Sequence, residues 1–237
     1  MTNSVIVKMD DLKFNDKLFV PMKSNTIIDM GFSSEGGLMP ATNVVVAGSP
    51  GVGKTTVLLD ILANLAKNGK KCLFISGEMN SIDMHGYVKR YPKFGQLDIL
   101  FMGNFADENP EELIESVLDK GYDCVLVDSM AELQDQYQAY FKGSNEGQAN
   151  KLLKTFDKYN REHFTTFLII QQMTKGGEFV GGNKLKHMTT AFAYLKFDEI
   201  GNRYMQFTKN RRGGNMSKFV YNLETVENVN WMYEEAV

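Results

Sequence analysis

The sequence predicts an α/β protein whose central sheet is mainly parallel and is flanked by helices. Short β-branched and apolar runs alternate along the chain with segments whose apolar residues recur at helical spacing, and this alternation is typical of parallel sheets. A glycine-rich loop follows the first of these runs and leads directly into a helical segment. Three consecutive strand-like segments near the C-terminal end predict antiparallel strands added to that side of the sheet.

The composition fits one α/β domain with a full core. The chain has 237 residues, of which 43% are hydrophobic and 23% are charged. We divide it into an N-terminal lead-in, residues 1–40, and a core domain, residues 41–237, because glycines and a proline punctuate the approach to the first core strand. The formal net charge of −3 argues against a protein that coats nucleic acid through its overall field, but it leaves room for a local basic channel.

The sequence carries no signal for export or for membrane insertion. No apolar run approaches the roughly 20 residues of a membrane-spanning helix, and the N-terminal apolar run is too short for a signal peptide. Cys72 and Cys124 each begin an apolar strand-like run, which predicts two buried free thiols rather than a disulfide or a zinc pair. We therefore expect a cytoplasmic protein with no membrane partner, located in the host cytoplasm if a phage encodes it.

Residues 48–55 carry the most specific motif. They read Gly-Ser-Pro-Gly-Val-Gly-Lys-Thr, the G-x-x-x-x-G-K-T pattern of phosphate-binding loops. A β-branched run over 43–47 precedes the loop, and an amphipathic helix that stops at Gly69 follows it. Backbone N–H groups of such a loop bind phosphate oxygens, Lys54 reaches the β- and γ-phosphates, and Thr55 ligates Mg²⁺. The predicted ATP-binding residues are Gly48, Ser49, Pro50, Gly51, Val52, Gly53, Lys54, Thr55 and Thr56.

The rest of the chain continues the alternation of strands and helices. Further strands are predicted over 72–76, 99–102, 124–128, 167–170, 191–197, 203–208 and 217–223. Further helices are predicted after Asn80, after Asn109 and around 149–156. The segments 131–148 and 173–188 show no clear period, so we expect loops there.

Two acidic residues at predicted strand ends suit the chemistry of nucleotide hydrolysis. Asp128 ends an apolar strand, where a carboxylate can hold Mg²⁺ opposite Thr55. Ser129 occupies the next position, at which many nucleotide hydrolases carry the base that activates water, so the base must come from elsewhere. Glu78 lies just beyond the second strand and is the candidate, because a neighbouring strand end can aim it at the γ-phosphate.

Polar residues at two other strand ends complete the predicted catalytic set. Gln171 and Gln172 end the fourth strand, and we favour Gln172 as the amide that contacts the γ-phosphate, although consecutive strand residues face opposite directions. Lys209 and Arg211 are separated by one residue at a strand end and therefore point the same way. Such a pair of cations can be inserted into the nucleotide site of a neighbouring subunit.

Together these motifs resemble the RecA-like ATPases, most closely the ATPase core of the RadA branch-migration helicases, with the DnaB helicases next. The matching segments are Gly36-Gly37-Leu38-Met39-Pro40, residues 48–55, Ser76-Gly77-Glu78, Val127-Asp128-Ser129 and Lys209-Asn210-Arg211. Arg212 stands where the RadA pattern has phenylalanine, and the zinc module and protease-like domain of RadA have no counterpart in this sequence. The resemblance implies a RecA-like three-layer fold and a Mg²⁺-dependent ATPase that acts on DNA, in helicase, branch-migration or recombination work.

The resemblance also implies a ring-shaped homo-oligomer, expected to be a hexamer, that binds single-stranded DNA in its channel through the loops 131–147 and 173–188. Aromatic side chains there would stack on bases and lysines would neutralise phosphates. The candidate DNA-binding residues are Tyr137, Lys142, Lys175, Lys184 and Lys186.

Two alternatives stay open at this point. One is a strand-exchange recombinase that forms filaments on DNA. The other is a regulatory RecA-like ATPase switch that binds a protein partner instead of DNA, which suits the modest net charge.

Overall fold

Strands and helices alternate through most of the computed structural model, which describes residues 6–173, 189–223 and 227–233. The strands are β1 (Asn43–Gly48), β2 (Cys72–Ser76), β3 (Asp98–Phe101), β4 (Cys124–Asp128), β5 (Thr166–Gln172), β6 (Ala191–Phe197), β7 (Arg203–Asn210), β8 (Phe219–Asn222) and β9 (Asn230–Tyr233). The α-helices are α1 (Asp29–Phe32), α2 (Lys54–Lys67), α3 (Ser81–Arg90), α4 (Pro110–Leu118), α5 (Met130–Phe141) and α6 (Asn145–His163).

The nine strands form one sheet in the order β3-β2-β4-β5-β1-β6-β7-β8-β9. Strands β1 to β6 pair in parallel, and β7, β8 and β9 follow as antiparallel neighbours at one side. The predicted fold class, a mainly parallel sheet flanked by helices with antiparallel strands added at the C-terminal end, is therefore confirmed.

Helices cover both faces of the parallel part of the sheet, and each face has its own apolar core. Val44 and Val46 pack with the α2 residue Leu62 on one face. Their neighbours in β1 point to the opposite face, where Val45 packs in a cluster that includes Phe156 of α6. Because both faces are covered, every residue of β1 and β4 is buried, as continuous apolar runs in parallel strands predict.

Residues 131–148 are mostly helical, so the prediction of a loop there is wrong. Helix α5 occupies most of that segment, and α6 begins soon after it. Met130, Leu133 and Tyr137 are fully buried on one side of α5. Gln134 shares that buried side, so a polar residue interrupts the apolar stripe and conceals its helical period in the sequence.

The sheet also has a strand that the sequence did not predict. Strand β9 pairs with β8 in antiparallel register, Val220 opposite Met232. Trp231 packs against the buried ring of Tyr221, with the two ring centroids 5.3 Å apart. The segment is short and begins with a polar residue, Asn230, so its pairing with β8 and this aromatic contact define it more than its own sequence does.

Part of the N-terminal lead-in packs in the core. Ile28, Phe32 and Leu38 are buried in the same cluster as α2. The boundary at residue 40 between a lead-in and a core domain stays a prediction. Cys72 and Cys124 lie opposite each other on β2 and β4 as buried free thiols, which confirms that prediction. Within the described residues, no helix is long and apolar enough to cross a membrane.

Two glycines in helices are expected to respond oppositely to replacement by alanine. A Cβ at Gly31 would lie 2.8 Å from the Phe207 ring and 2.9 Å from the Phe219 ring, so we expect Gly31→Ala to lower the free energy of unfolding by about 1–3 kcal/mol. A Cβ at Gly86 in α3 would meet nothing within 4 Å, so Gly86→Ala is expected to raise it by about 0.5–1 kcal/mol. Urea denaturation of both variants measures the two changes, and equal midpoints would contradict the predicted packing of α1.

Candidate nucleotide-binding site

The register of the parallel strands brings the predicted site residues to one edge of the sheet. Gly48 at the end of β1 pairs with Gln172 at the end of β5, and Ser76 of β2 pairs with Asp128 of β4. A cleft of about 670 Å³ opens at this edge. Its lining includes Gly48, Pro50, Gly51, Gly53, Lys54, Thr55, Thr56, Glu78, Tyr87, Arg90, Asp128, Gln172, Arg203 and Leu223.

The loop between β1 and α2 requires glycine at two positions. Gly53 has a φ of +95°, and a Cβ there would lie 2.4 Å from the Leu223 side chain. A Cβ at Gly48 would lie 2.5 Å from the carbonyl oxygen of Leu195 in β6. The hydroxyl of Tyr221, in β8, donates a hydrogen bond to the carbonyl of Val52 at 2.8 Å. This bond ties the loop to β8. The loop is thus fixed by packing before the helix begins at Lys54.

Lys54 lies over the loop that precedes it. Its ammonium group donates hydrogen bonds to the carbonyl oxygens of Gly48, at 2.9 Å, and Ser49, at 3.2 Å. Burial lowers the pKa of Lys54, and the carboxylates of Asp128 and Glu78 oppose that shift. This places a cation beside the free N–H groups at the start of α2, where anionic phosphates bind favourably.

Thr55 and Asp128 are in direct contact across the cleft. The Thr55 hydroxyl donates to Oδ2 of Asp128 at 2.5 Å, and Asp128 is only 2% exposed. Burial raises the pKa of Asp128 to about 6, the Thr55 hydrogen bond opposes the shift, and the carboxylates of Glu78 and Glu132 add to it. A hydroxyl and a carboxylate oxygen are the donors that Mg²⁺ takes in nucleotide sites, so these residues fit a bound magnesium ion.

Glu78 and Gln172 extend from the two strands that flank β4. Glu78 is exposed and lines the cleft just after β2, next to Gly77, whose N–H donates to the Asp128 carbonyl at 2.8 Å. Gln172 is half-buried and lines the same cleft, whereas Gln171 is fully buried. The strand alternation thus turns Gln172, the favoured residue of the pair, toward the phosphate loop.

Sequence reasoning missed Glu132, which lies in the first turn of α5. Its Oε1 accepts a hydrogen bond from Nε2 of Gln172 at 2.8 Å, and its Oε2 accepts one from the Ser129 hydroxyl. The sequence contained a usable signal, because Ser129 and Glu132 have the spacing of a helix-starting pair directly after a strand. The prediction of a loop over residues 131–148 does not use this signal.

Sequence reasoning also missed the side walls of the cleft. Tyr87 and Arg90, one turn apart on α3, line one part of it, and Arg203 and Leu223 line another. No short motif marks these residues. Arg203 and Leu223 reach the cleft because β7 begins, and β8 ends, at the same edge of the sheet as the phosphate loop.

Solved structures with this architecture are known. A KaiC-like protein of Pyrococcus horikoshii aligns with a TM-score of 0.67 at 18% identity, covering 90% of this chain and 99% of that protein. The flagellar accessory protein FlaH of Methanocaldococcus jannaschii aligns with a TM-score of 0.71 at 10% identity, covering 91% and 100%. At these identities the likeness concerns the fold alone.

The sequence also matches DNA repair proteins and a family profile. The DNA repair protein RadA of Campylobacter jejuni is 31% identical over 180 residues, and that of Listeria monocytogenes is 28% identical over 192 residues. A family profile described as "ATPase: KaiC" matches residues 6–96. Together these matches support a KaiC-like, RecA-type ATPase domain in this chain. It spans 76% and 81% of its own length in the two RadA alignments but only 39% and 41% of those proteins.

We refer to the two cations predicted to enter a neighbouring nucleotide site, Lys209 and Arg211, as the finger residues. They lie at the edge of the sheet opposite the cleft. Asn210 at the end of β7 pairs with Ala191, which pairs in turn with Val44 near the start of β1. Arg211 follows Asn210, is exposed, and lies roughly 16 Å from the level of Gly48 at about 3.3 Å per strand residue. The Lys209 ammonium donates to the carbonyl of Thr189 at 2.6 Å. Neither cation can therefore reach the cleft of its own chain.

The candidate DNA-binding residues differ in exposure, and three of them lie outside the described residues. Tyr137 is fully buried beside Phe141, with ring centroids 5.7 Å apart, so its predicted role in stacking on bases is wrong. Lys142 is exposed just after α5. The remaining three, Lys175, Lys184 and Lys186, lie outside the described residues.

Proposed function

We propose that the domain hydrolyses ATP with Mg²⁺ in the cleft beside β1. The observation that carries this proposal is the convergence of Lys54, Thr55, Asp128, Glu78 and Gln172 on one cleft at the carboxyl edge of the sheet. Lys54 and the N–H groups of the loop bind the phosphates, and Thr55 and Asp128 hold the metal. A magnesium ion held by Thr55 and Asp128 would offset negative charge that develops on the phosphates.

The remaining two residues act on the γ-phosphate end of the nucleotide. Glu78 accepts a proton from the attacking water, because its exposed carboxylate lines the cleft near both Lys54 and Asp128. Gln172 contacts the γ-phosphate through its side-chain amide, since it ends the strand that pairs with β1 at Gly48. Ser129 is hydrogen-bonded to Glu132, which supports placing the base just after β2, at Glu78, rather than directly after Asp128.

Replacing Glu78 by glutamine separates binding from hydrolysis. We expect Glu78→Gln to lower kcat by ~10²- to 10⁴-fold while ATP still binds, because only proton transfer is lost. Lys54→Ala is expected to weaken ATP binding itself, because the phosphates lose their cation. Steady-state ATPase rates and binding of a fluorescent ATP analogue measure both effects, with Glu162→Gln on α6 as the exposed control. Unchanged kcat in Glu78→Gln would assign the base to another residue.

We further propose that the domain works as a homo-oligomer in which Arg211 completes the cleft of a neighbouring copy. Arg211 is exposed at the edge opposite its own cleft, as a residue supplied in trans requires. Asn210 donates to the carbonyls of Gly31, at 2.9 Å, and Phe32, at 3.0 Å, so the turn that presents Arg211 is held to α1. Arginines of this kind contribute ~10³–10⁵ in rate. Lys209 lies on the same side of the chain as Arg211, and its ammonium group donates a hydrogen bond to the carbonyl of Thr189.

Mixing two inactive variants tests the finger in trans. Arg211→Ala retains its phosphate loop and Lys54→Ala retains its finger, so mixed oligomers contain some complete sites. We expect each variant alone to be inactive and the mixture to recover part of the wild-type ATPase rate. Light scattering establishes the oligomer, and Arg212→Ala, adjacent in sequence, serves as a control that should hydrolyse ATP without mixing. A mixture as inactive as its components would overturn the trans assignment.

We propose single-stranded DNA as the target of this ATPase, in keeping with the RadA proteins that match its ATPase region. Tyr140 is 47% exposed and lies two residues before the exposed Lys142, so an aromatic ring and a cation are available together at the end of α5. The second candidate, an ATPase switch that binds a protein, is favoured by the burial of Tyr137 and by the net charge of −3.

An oligonucleotide assay decides between these targets. If DNA is the target, single-stranded DNA raises the ATPase rate, and Lys142→Ala weakens binding and reduces the salt slope by about 1 because one phosphate contact is lost. Lys154→Ala, an exposed lysine on α6, is the matched control. Fluorescence anisotropy at low salt measures binding. No binding and no stimulation would reject DNA and favour the protein-binding switch.

A further inference from the structure

The geometry points to Glu132 as a positioning residue that orients the amide of Gln172 toward the γ-phosphate end of the cleft. This inference rests on the proposed ATPase function and adds a residue to it. Glu132 belongs to α5, outside the phosphate loop and outside the strand ends that supply the other site residues.

Both oxygens of the Glu132 carboxylate are engaged by residues at the ends of central strands. Oε1 accepts from Nε2 of Gln172, at the end of β5, at 2.8 Å. Oε2 accepts from the hydroxyl of Ser129, the residue that follows Asp128 at the end of β4. A single side chain therefore links the Gln172 amide to the segment that carries the candidate magnesium ligand.

The Cβ of Glu132 packs against the residue that directly follows a third strand, β2. A Cβ at Gly77, directly after β2, would lie 2.9 Å from Cβ of Glu132, so the glutamate packs where only glycine leaves room. The Gly77 N–H donates to the Asp128 carbonyl at 2.8 Å, which holds that strand end in place. The Glu132 side chain is therefore fixed at its Cβ by packing and at its carboxylate by two hydrogen bonds.

The hydrogen bond to Glu132 determines which groups of Gln172 face the cleft. A side-chain amide has two N–H donors and one carbonyl acceptor, and rotation about its last torsion exchanges their positions. A carboxylate only accepts, so Glu132 selects the orientation in which Nε2 points toward it, and a charged acceptor strengthens this bond. One N–H and the carbonyl remain, which are the donor for a phosphate oxygen and the acceptor for a water.

A capping role alone does not account for these contacts. Ser129 is the N-cap residue of α5, yet its side chain makes no capping hydrogen bond to the helix backbone. Its hydroxyl donates instead to Glu132. A residue that merely stabilised the helix start would have no reason to bind the Gln172 amide of a different strand.

A double-mutant cycle tests the assignment in the full chain. We expect Glu132→Ala to lower kcat by roughly 10- to 100-fold through misplacement of the amide, with ADP affinity unchanged because the phosphate loop is intact. Glu132→Gln keeps an oxygen acceptor for Gln172 and should retain most of the activity. Glu132→Ala combined with Gln172→Ala should be no slower than Gln172→Ala alone, since the glutamate acts through that amide. Glu162→Ala is the control for loss of an exposed glutamate.

Separate outcomes overturn the inference and the proposed function. Multiplying effects in the double variant, or a wild-type kcat in Glu132→Ala, would show that Glu132 does not act through Gln172. Retained ADP binding in each variant shows that the fold is intact. A wild-type chain without ATPase activity would reject the proposed function. The affinity ratio of a non-hydrolysable ATP analogue to ADP would then test Glu132, because misplacing the amide lowers this ratio and an unchanged ratio overturns the assignment.

Discussion

The parallel register of the four central strands β2, β4, β5 and β1 is the constraint on which the site depends. A slip of one residue in any pairing would turn every side chain of that strand to the other face. Because both faces of β1 are apolar, burial alone would oppose such a slip only weakly. The contacts at the carboxyl edge are specific. The hydrogen bond from Thr55 to Asp128 and the close packing of Gly48 against Leu195 exist in one register only.

The direction of β7 places its two ends at opposite edges of the sheet. It runs antiparallel to β6, so Arg203 at its start lines the cleft while Asn210 at its end lies at the opposite edge. One strand therefore carries a residue of its own cleft and, a few residues later, the exposed Arg211. The Asn210 contacts to α1 stiffen the far end of that strand.

How much was predictable from the sequence depends on the range of the interactions that determine each element. The strand, loop and helix around residues 48–55 are encoded locally by β-branched residues, glycines and an apolar stripe, and their predicted bounds agree with the structure. Helix α5 was not predicted because Gln134 occupies a buried position of its stripe. The spacing of Ser129 and Glu132 can mark the start of the helix, but the contacts of Glu132 with other strands could not be predicted. Three strand ends meet around it, and pairing order across the sheet cannot be seen in a single sequence.

The helical state of residues 130–141 changes what a nucleic-acid contact would require. A mobile loop would lose conformational entropy on binding, roughly 1–2 kcal/mol for each residue that becomes ordered. Helix α5 is ordered through its buried side and spans about 18 Å at 1.5 Å per residue over its 12 residues. Its first turn carries Glu132, beside the cleft, and its last turn carries the exposed Tyr140, with Lys142 directly after it. One ordered helix therefore connects the edge of the cleft, at Glu132, to the exposed side chains of Tyr140 and Lys142.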